Sequence, residues 1–275
     1  MRLSRILTEP PQGPVQINWD SPQAQGLSAW AHQGDFGLSS YEDPFGNVCT
    51  PTAVSQWDYD PEMGWGNTCV SASSQKQTIG YSAASTATIS GCARVRFTAG
   101  GNSNFPGVIS GVGNMGFILR QPGGALGYVW ENTSDEYSAA SGLSPVDGVF
   151  YTVANVVTPT AATLYMAGNG SLLSFTNTKT HTAKTDSSFL LGNDRSVGSH
   201  FVDAFVSDGR IYHGIALTES DIWAMHDPAT RWDLWWQPTR KMYSWGQPQA
   251  AGGATFQSAW ARNANTVISL GAGRA

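Results

Sequence analysis

The chain has 275 residues and a formal net charge of −5, and only 13% of its residues are charged, against roughly 25% in most soluble domains. It has no dense run of Lys and Arg that could bind phosphates, so we expect no nucleic-acid partner. No segment approaches the roughly 18 consecutive apolar residues that cross a membrane, and we expect no membrane insertion. Such a low fraction of charged residues suits a chain that lies inside an assembly, or a compact monomer with a neutral, hydroxyl-rich exterior.

Prolines dominate the first 25 residues. Pro10, Pro11, Pro14 and Pro22 favour extended backbone rather than core strands, which predicts an extended N-terminal arm over residues 1–25. The early arginines are not followed by an apolar run, so we expect no signal peptide.

The three cysteines are widely spaced and form no Cys-x-x-Cys pair. Cys49, Cys69 and Cys92 are therefore expected to be buried thiols, which agrees with folding in a reducing cytoplasm.

Alternating apolar and small or polar residues predict a β-strand through residues 201–207, with Gly209 as a turn before a second strand at 210–212. We expect one β-body over residues 26–245.

A short helix is predicted near residues 218–227. Thr218 is the expected N-cap residue and Asp221 lies three positions later, as in a capping box, while Leu217 and Ile222 are spaced as a hydrophobic staple. Asp227 and Pro228 are expected to end the helix.

Aromatic side chains are dense from Trp223, within this helix, to Trp245. Such rings can pack on one another across the open end of the body, or lie exposed and bind a sugar or a protein. The candidates for binding a glycan or partner are Trp232, Trp235, Trp236, Tyr243 and Trp245.

The last thirty residues read as a flexible linker followed by an apolar segment. Gly and Ala are frequent from residue 246 onwards, and five large apolar side chains then follow. We predict that residues 246–275 form a linker and a docking tail, with a strand added to the chain's own domain as the alternative.

The sequence indicates no catalytic, cofactor or metal site. Asp58, Asp60 and Glu62 have the alternation that a glycoside hydrolase or a calcium site could use, but Pro61 interrupts the strand and the calcium-loop pattern fails. A solvated acidic loop is expected there. We expect a protein that is not an enzyme and needs no cofactor.

Several of these motifs occur together, and in the same order, in one known fold family. The closing segment of laminin-G-like or concanavalin A-like jelly rolls resembles Phe205 and residues 210–212, 216–218 and 221–222. Five upstream segments resemble further strands of that family and follow in its order, which implies strands at residues 88–96, 107–110, 116–119, 148–154 and 164–168. The resemblance covers roughly residues 70–236. It implies an all-β jelly-roll sandwich of two antiparallel sheets. Ala167 departs from the family pattern, which has an acid there.

The two ends resemble those of virion-associated proteins of tailed bacteriophages. The resemblance lies in residues 11–19 and 259–268, and it implies a structural role on the head or tail. The expected partners are then a major capsid or tail protein and other copies of the chain, with a trimer as one candidate. The expected docking residues are Val15, Ile17, Trp19, Phe256, Trp260, Val267, Ile268 and Leu270.

The sequence therefore supports two hypotheses. The first is a bacteriophage structural protein, such as a capsid decoration or tail-associated protein, that is located in the virion, is assembled in the host cytoplasm and displays its jelly roll outward. The alternative is a carbohydrate-binding, lectin-like module that recognises a cell-surface glycan.

Overall fold

The computed structural model describes residues 16–31, 41–52, 56–98, 105–111, 115–192 and 200–236. In chain order the strands are β1 (Gln16–Ile17), β2 (Leu27–Ala31), β3 (Tyr41–Glu42), β4 (Val48–Thr52), β5 (Gln56–Asp60), β6 (Gly64–Cys69), β7 (Lys76–Thr86), β8 (Ile89–Phe97), β9 (Gly107–Gly111), β10 (Met115–Arg120), β11 (Leu126–Val129), β12 (Phe150–Thr158), β13 (Ala161–Gly168), β14 (Ser171–Asn177), β15 (Lys184–Leu191), β16 (Ala204–His213) and β17 (Trp235–Trp236). The α-helices are α1 (Ser134–Tyr137) and α2 (Glu219–His226). Neither is long and apolar enough to cross a membrane.

Two antiparallel sheets form a sandwich, as predicted. One sheet has seven strands in the order β11-β10-β9-β15-β7-β4-β3. The other has eight, in the order β14-β13-β12-β8-β16-β6-β5, with β2 also paired to β16. All five strands predicted between residues 88 and 168 are present, as β8, β9, β10, β12 and β13. The all-β jelly-roll prediction is confirmed.

The main core lies between the sheets. On β8, Ala93 and Val95 point into it, and they meet Phe117 and Phe189 of the seven-stranded sheet. All four side chains are at most 1% exposed, so this interior supplies a large apolar contribution to stability. Cys49, Cys69 and Cys92 are buried thiols, as predicted.

A second apolar cluster covers the outer face of the eight-stranded sheet. It contains Ile17 and Trp30 from the N-terminal side, and Ile222 and Trp232 from α2 and the segment after it. The strands β1 and β17 pair through Gln16↔Trp236 and Ile17↔Trp235. The sandwich therefore has a third, partial layer that both flanks of the chain build together.

This layer corrects the prediction of an extended arm over residues 1–25. Residues 16–25 pack on the chain's own sheet, and Ile17, expected to dock on a neighbour, is only 5% exposed. Gln23 is buried in a short turn at Pro22–Ala24. Pro22 begins this turn, and composition alone does not distinguish such a turn from a free arm. Residues 1–15 lie outside the described ranges.

The expected turn at Gly209 is also corrected. Residues 204–213 form one strand, β16, whose register on β8 shifts between Ser207 and Arg210. Asp208 has a φ of 52°, in the left-handed region. A Cβ on Gly209 would lie 2.6 Å from Leu191 Cδ2, so glycine is needed for close packing at this bulge.

The predicted helix is present as α2. Thr218 and Asp221 form the expected capping box, and Asp227 is the C-cap residue. The buried side of the helix carries Ile222 and Met225, which join the outer cluster. Local chemistry therefore fixes both ends of this helix, and the outer sheet face determines where it packs.

A buried charge cluster lies beneath the outer layer. Asp208 accepts a bidentate pair of hydrogen bonds from Arg210, at 2.9 Å from Nε and 2.5 Å from Nη2. It also lies 3.1 Å from Arg94 Nη2 and accepts a hydrogen bond from Trp30 Nε1 at 2.8 Å. Burial disfavours ionisation of Asp208, but the two guanidinium groups outweigh it and hold the pKa of this carboxyl below its usual value.

The same cluster holds both flanks of the chain. Arg210 Nη1 donates to Gln23 Oε1 at 2.8 Å, and Arg94 Nη2 donates to the Arg231 carbonyl at 2.6 Å. The Arg94 guanidinium also lies 4.2 Å from the ring centroid of Trp232. One carboxylate therefore pairs with two arginines, which hold the N-terminal and C-terminal parts of the outer layer on the sheet.

Replacing Asp208 with Asn should destabilise the protein strongly. The substitution keeps the side-chain shape but leaves two buried guanidinium groups without a counter-charge, which costs about 3–5 kcal/mol. Urea denaturation measures the change. The control is Asp135→Asn, which breaks a solvent-exposed pair with Lys179 and should leave the midpoint unchanged. Equal midpoints for both variants would contradict the role given to Asp208.

Candidate functional site

A cleft of about 500 Å³ opens at one end of the eight-stranded sheet, beside the C-terminal end of α2. Its size lies within the range of small-molecule sites. Its lining residues are Glu62, Gly148, Val149, Phe150, Asn169, Gly170, Trp223, His226, Asp227 and Pro228. The outer layer therefore supplies one wall of the cleft, and strand ends and turns supply the rest.

A tight turn between β13 and β14 forms one side of the cleft. Asn169 and Gly170 have φ values of 50° and 71°, the left-handed pair that a two-residue hairpin turn requires. The Asn169 amide Nδ2 donates to the Tyr151 hydroxyl at 3.4 Å. Tyr151 is buried in the main core, so the sandwich interior orients a polar side chain at the cleft.

Three rings form the aromatic part of the cleft. Phe150 and His226 lie with ring centroids 4.8 Å apart, and Trp223 lies 5.7 Å from His226. Phe150 and His226 are buried, whereas Trp223 is partly exposed. The half-buried indole is thus fixed by its neighbours while part of it remains open to a ligand.

His226 is uncharged at neutral pH. Burial, together with the nearby positive charges of Arg231 and Arg94, lowers the pKa of its imidazole to about 4. Its Nδ1 lies 3.3 Å from the Thr152 hydroxyl. The ring therefore contributes a neutral hydrogen-bonding surface rather than a cation.

Acidic side chains of the β5–β6 hairpin reach the cleft. Asp60 forms an ion pair with Arg96, and Glu62 Oε2 lies 3.0 Å from Arg96 Nη2. Partial burial acts to raise the pKa of Asp60, but the hydrogen bonds from Arg96 and from backbone N–H groups outweigh it and lower that pKa. The expected solvated acidic loop is corrected, because two of its three carboxylates are paired with an arginine.

The pairing of Asp60 and Glu62 with Arg96 affects two roles considered for these acids, glycoside hydrolysis and cation binding. A general acid needs a raised pKa, whereas Asp60 is held ionised by Arg96. Across the described residues, no group of three His, Cys, Asp or Glu side chains could hold a metal ion. The acids of this hairpin therefore orient Arg96 and give the cleft rim a negative side chain, Glu62.

The structure separates the residues predicted to bind a glycan. Trp232 and Trp235 are 2% and 8% exposed and belong to the outer apolar cluster, so neither offers an open binding face. They pack on the sheet face, not across an open end of the sandwich. The side chain of Trp236, and Tyr243 and Trp245, lie outside the described residues.

Two of the residues expected to dock on a neighbouring protein lie within the described ranges. Trp19 is 61% exposed and packs edge-on against Phe45, with ring centroids 5.7 Å apart, whereas Ile17 is buried. The other docking candidates lie outside the described residues: Val15, Phe256, Trp260, Val267, Ile268 and Leu270.

The sequence analysis did not identify Asn169, His226 or Glu62 as site residues. The Asn-Gly pair between two alternating segments is a strong hairpin signal and could have placed Asn169 at a sheet end. His226 and Glu62 carry no such local signal, because only the packing of α2 and the hairpin on the sheet brings them to one cleft.

A family model and this architecture agree on the class of protein. The model described as "Concanavalin A-like lectin/glucanases superfamily", in its Laminin_G_3 form, matches residues 71–223. That span is more than half of the chain. The protein therefore belongs to the concanavalin A-like lectin/glucanases superfamily.

Solved structures share the fold at low sequence identity. A mutant of Trypanosoma rangeli sialidase displaying trans-sialidase activity is 15% identical, with a TM-score of 0.53 over 76% of this chain and 33% of the sialidase chain. Trypanosoma rangeli sialidase in complex with sialic acid is 16% identical, with a TM-score of 0.52 over 73% and 32% of the two chains. The chain thus spans about a third of these sialidases. A comparison with curated proteins gave no match.

Acidification should test the neutral state of His226. The unfolded imidazole titrates near 6.5 and the folded one near pH 4, so between these values only the unfolded chain gains the proton. The His226 contribution to folding stability should therefore decrease as the pH falls from 6.5 to about 4. Urea midpoints at pH 7 and pH 5 should differ less for His226→Gln than for the wild type. An identical loss in both proteins would contradict the lowered pKa.

Proposed function

We propose that this chain is a lectin-like domain that binds a carbohydrate in the cleft beside Trp223. The observation that carries the proposal is the combination of a partly exposed indole with an amide and two carboxylates around a cleft of about 500 Å³. The superfamily, whose description includes lectins, supports it.

The chemistry of the cleft fits a sugar ring. A pyranose has an apolar C–H face, which can stack on the flat indole of Trp223. Its hydroxyl groups can donate to the carboxylates of Glu62 and Asp227, and such charge-assisted hydrogen bonds are the stronger kind. The Asn169 amide can both donate and accept. These three polar side chains fix the orientation of a ring whose stacking alone has little directional preference.

The charge of the lining favours a neutral glycan. Glu62 and Asp227 are carboxylates, His226 is neutral, and the guanidinium of Arg96 is already paired with Asp60 and Glu62. An anionic sugar would meet two like charges, and none of the described lining residues is a cation that would offset them. We therefore propose neutral hexose or pentose chains, rather than sialylated or uronic-acid glycans, as ligands.

Trp223→Ala should abolish most of the binding. Loss of the stacking face should raise the Kd for a neutral oligosaccharide by at least about tenfold, which corresponds to about 1.4 kcal/mol of binding free energy. A glycan array identifies the ligand, and titration calorimetry measures its Kd for each variant. The matched control is Trp19→Ala, which removes an indole that is 61% exposed and is absent from the cleft lining.

Three results would contradict this assignment. An array without any binding would remove the carbohydrate function. Equal affinities of the Trp223→Ala and Trp19→Ala variants would mean that the sugar binds outside the cleft beside Trp223. Selective binding of sialylated glycans would overturn the proposed preference for neutral sugars while leaving a lectin function.

Attachment to a virion is the second candidate function. It is supported by the resemblance of residues 11–19 and 259–268 to virion-associated proteins and by the exposed indole of Trp19. In this proposal the chain joins a capsid or tail protein through its terminal segments, and the sandwich with its cleft faces outward. The two functions are compatible, because the cleft and the terminal segments involve different residues.

Deleting residues 246–275 tests the attachment. The described sandwich ends at residue 236, so the shortened chain should keep its thermal unfolding midpoint. It should fail to enter the assembled particle, which is measured by the protein content of purified virions. Unchanged incorporation would contradict the role of the tail.

A further inference from the structure

The edge strand β14 carries an exposed apolar side chain and no charge. Its sequence is Ser-Leu-Leu-Ser-Phe-Thr-Asn, and Leu173 is 47% exposed. Free sheet edges in proteins are usually protected by charged residues, proline, a bulge or a covering segment, because their open backbone groups can pair with another strand. This strand pairs regularly with β13 over all seven residues and so has no bulge.

Every second residue of β14 offers its backbone to the open edge. The two-residue turn makes Gly168↔Ser171 a hydrogen-bonded pair, so residues 171, 173, 175 and 177 pair with β13. The N–H and C=O groups of Leu172, Ser174 and Thr176 therefore point away from β13. These groups are spaced to form an antiparallel ladder with a further strand.

Two other edges of the described sheets are protected. At β11, the Leu126 N–H donates to the Leu143 carbonyl at 2.7 Å, and the Ser141 hydroxyl donates to the Leu126 carbonyl at 2.7 Å, so a segment of chain covers this edge. The opposite edge of the eight-stranded sheet, β5, carries Asp58 and Asp60. Within the ranges that the structure describes, β14 has neither kind of protection.

We propose that β14 pairs with β14 of a second copy of the chain, antiparallel and centred on Ser174. In this register Ser174 faces its own counterpart in a hydrogen-bonded pair, and Leu173 faces Phe175 of the second copy in a close, non-hydrogen-bonded pair. Both side chains point to the inner face of the sheet, where Phe175 already packs on the main core. The exposed Leu173 is thus covered by an aromatic ring, twice per dimer.

Self-pairing suits this strand better than an unrelated partner. A two-fold interface places the same residues opposite one another, and an uncharged strand avoids the like-charge contacts that would oppose it. The axis is perpendicular to the sheet, so both clefts would lie on the same side of the dimer. One strand pair buries less than a standard interface, and we expect a Kd of about 1–100 μM.

Light scattering during size-exclusion chromatography tests the dimer. Wild-type protein loaded at about 500 μM, above the expected Kd, should show twice the 29.3 kDa mass of one chain. Leu173→Lys puts a charge at the paired edge, and Ser174→Pro removes an outward N–H without disturbing pairing to β13; both should be monomers. The matched control is Val48→Lys, at a site 49% exposed on the other sheet, which should remain dimeric.

Cysteine crosslinking tests the register directly. The native cysteines in the described structure are buried, so oxidation should crosslink Ser174→Cys through its own counterpart. The control is Ser171→Cys, whose counterpart lies six residues away along the paired strands, roughly 20 Å, and which should stay uncrosslinked.

Three outcomes would overturn the proposal. A wild-type monomer at the highest concentration would exclude the dimer. A dimer that survives both Leu173→Lys and Ser174→Pro would use another surface. Equal crosslinking of the two cysteine variants would exclude the register.

Discussion

The outer layer of this sandwich depends on one buried carboxylate. Asp208 compensates Arg94 and Arg210, and these arginines hold Gln23 on one flank of the chain and the Arg231 carbonyl on the other. Buried charges are tolerated only when they are paired and hydrogen-bonded, so the partners of this cluster are restricted to one arrangement. That restriction places the segment after α2 against the sheet.

The cleft follows from this placement. The helix α2 supplies Trp223 and His226, while turns at the sheet end supply Asn169 and the β5–β6 hairpin supplies Glu62. Each group is oriented by a neighbouring side chain. Asn169 donates a hydrogen bond to Tyr151, and Glu62 forms an ion pair with Arg96. His226 packs against the ring of Phe150. A carbohydrate bound as proposed would meet side chains that are already oriented in the folded chain.

Local patterns were sufficient for both ends of α2, because a capping box and a helix stop depend on neighbours within a few positions, whereas the five strands between residues 88 and 168 and the sandwich class followed from the family resemblance. They failed where the partner is distant in sequence. The Asp208 contact with Trp30 spans 178 positions, and the Glu62 contact with Arg96 spans 34. The burial of Trp232 and Trp235 likewise depends on an outer sheet face that no local pattern indicates. The family resemblance predicted the two sheets but not the layer added to them.

Hydrogen exchange in the Asp208→Asn variant is the most direct measurement of whether this carboxylate holds the outer layer and its cleft. Amides of residues 16–31 and 219–236 should exchange much faster than in the wild type at a denaturant concentration where β8 and β12 stay protected. Faster exchange spread evenly over both sheets, or unchanged protection of α2, would contradict the account.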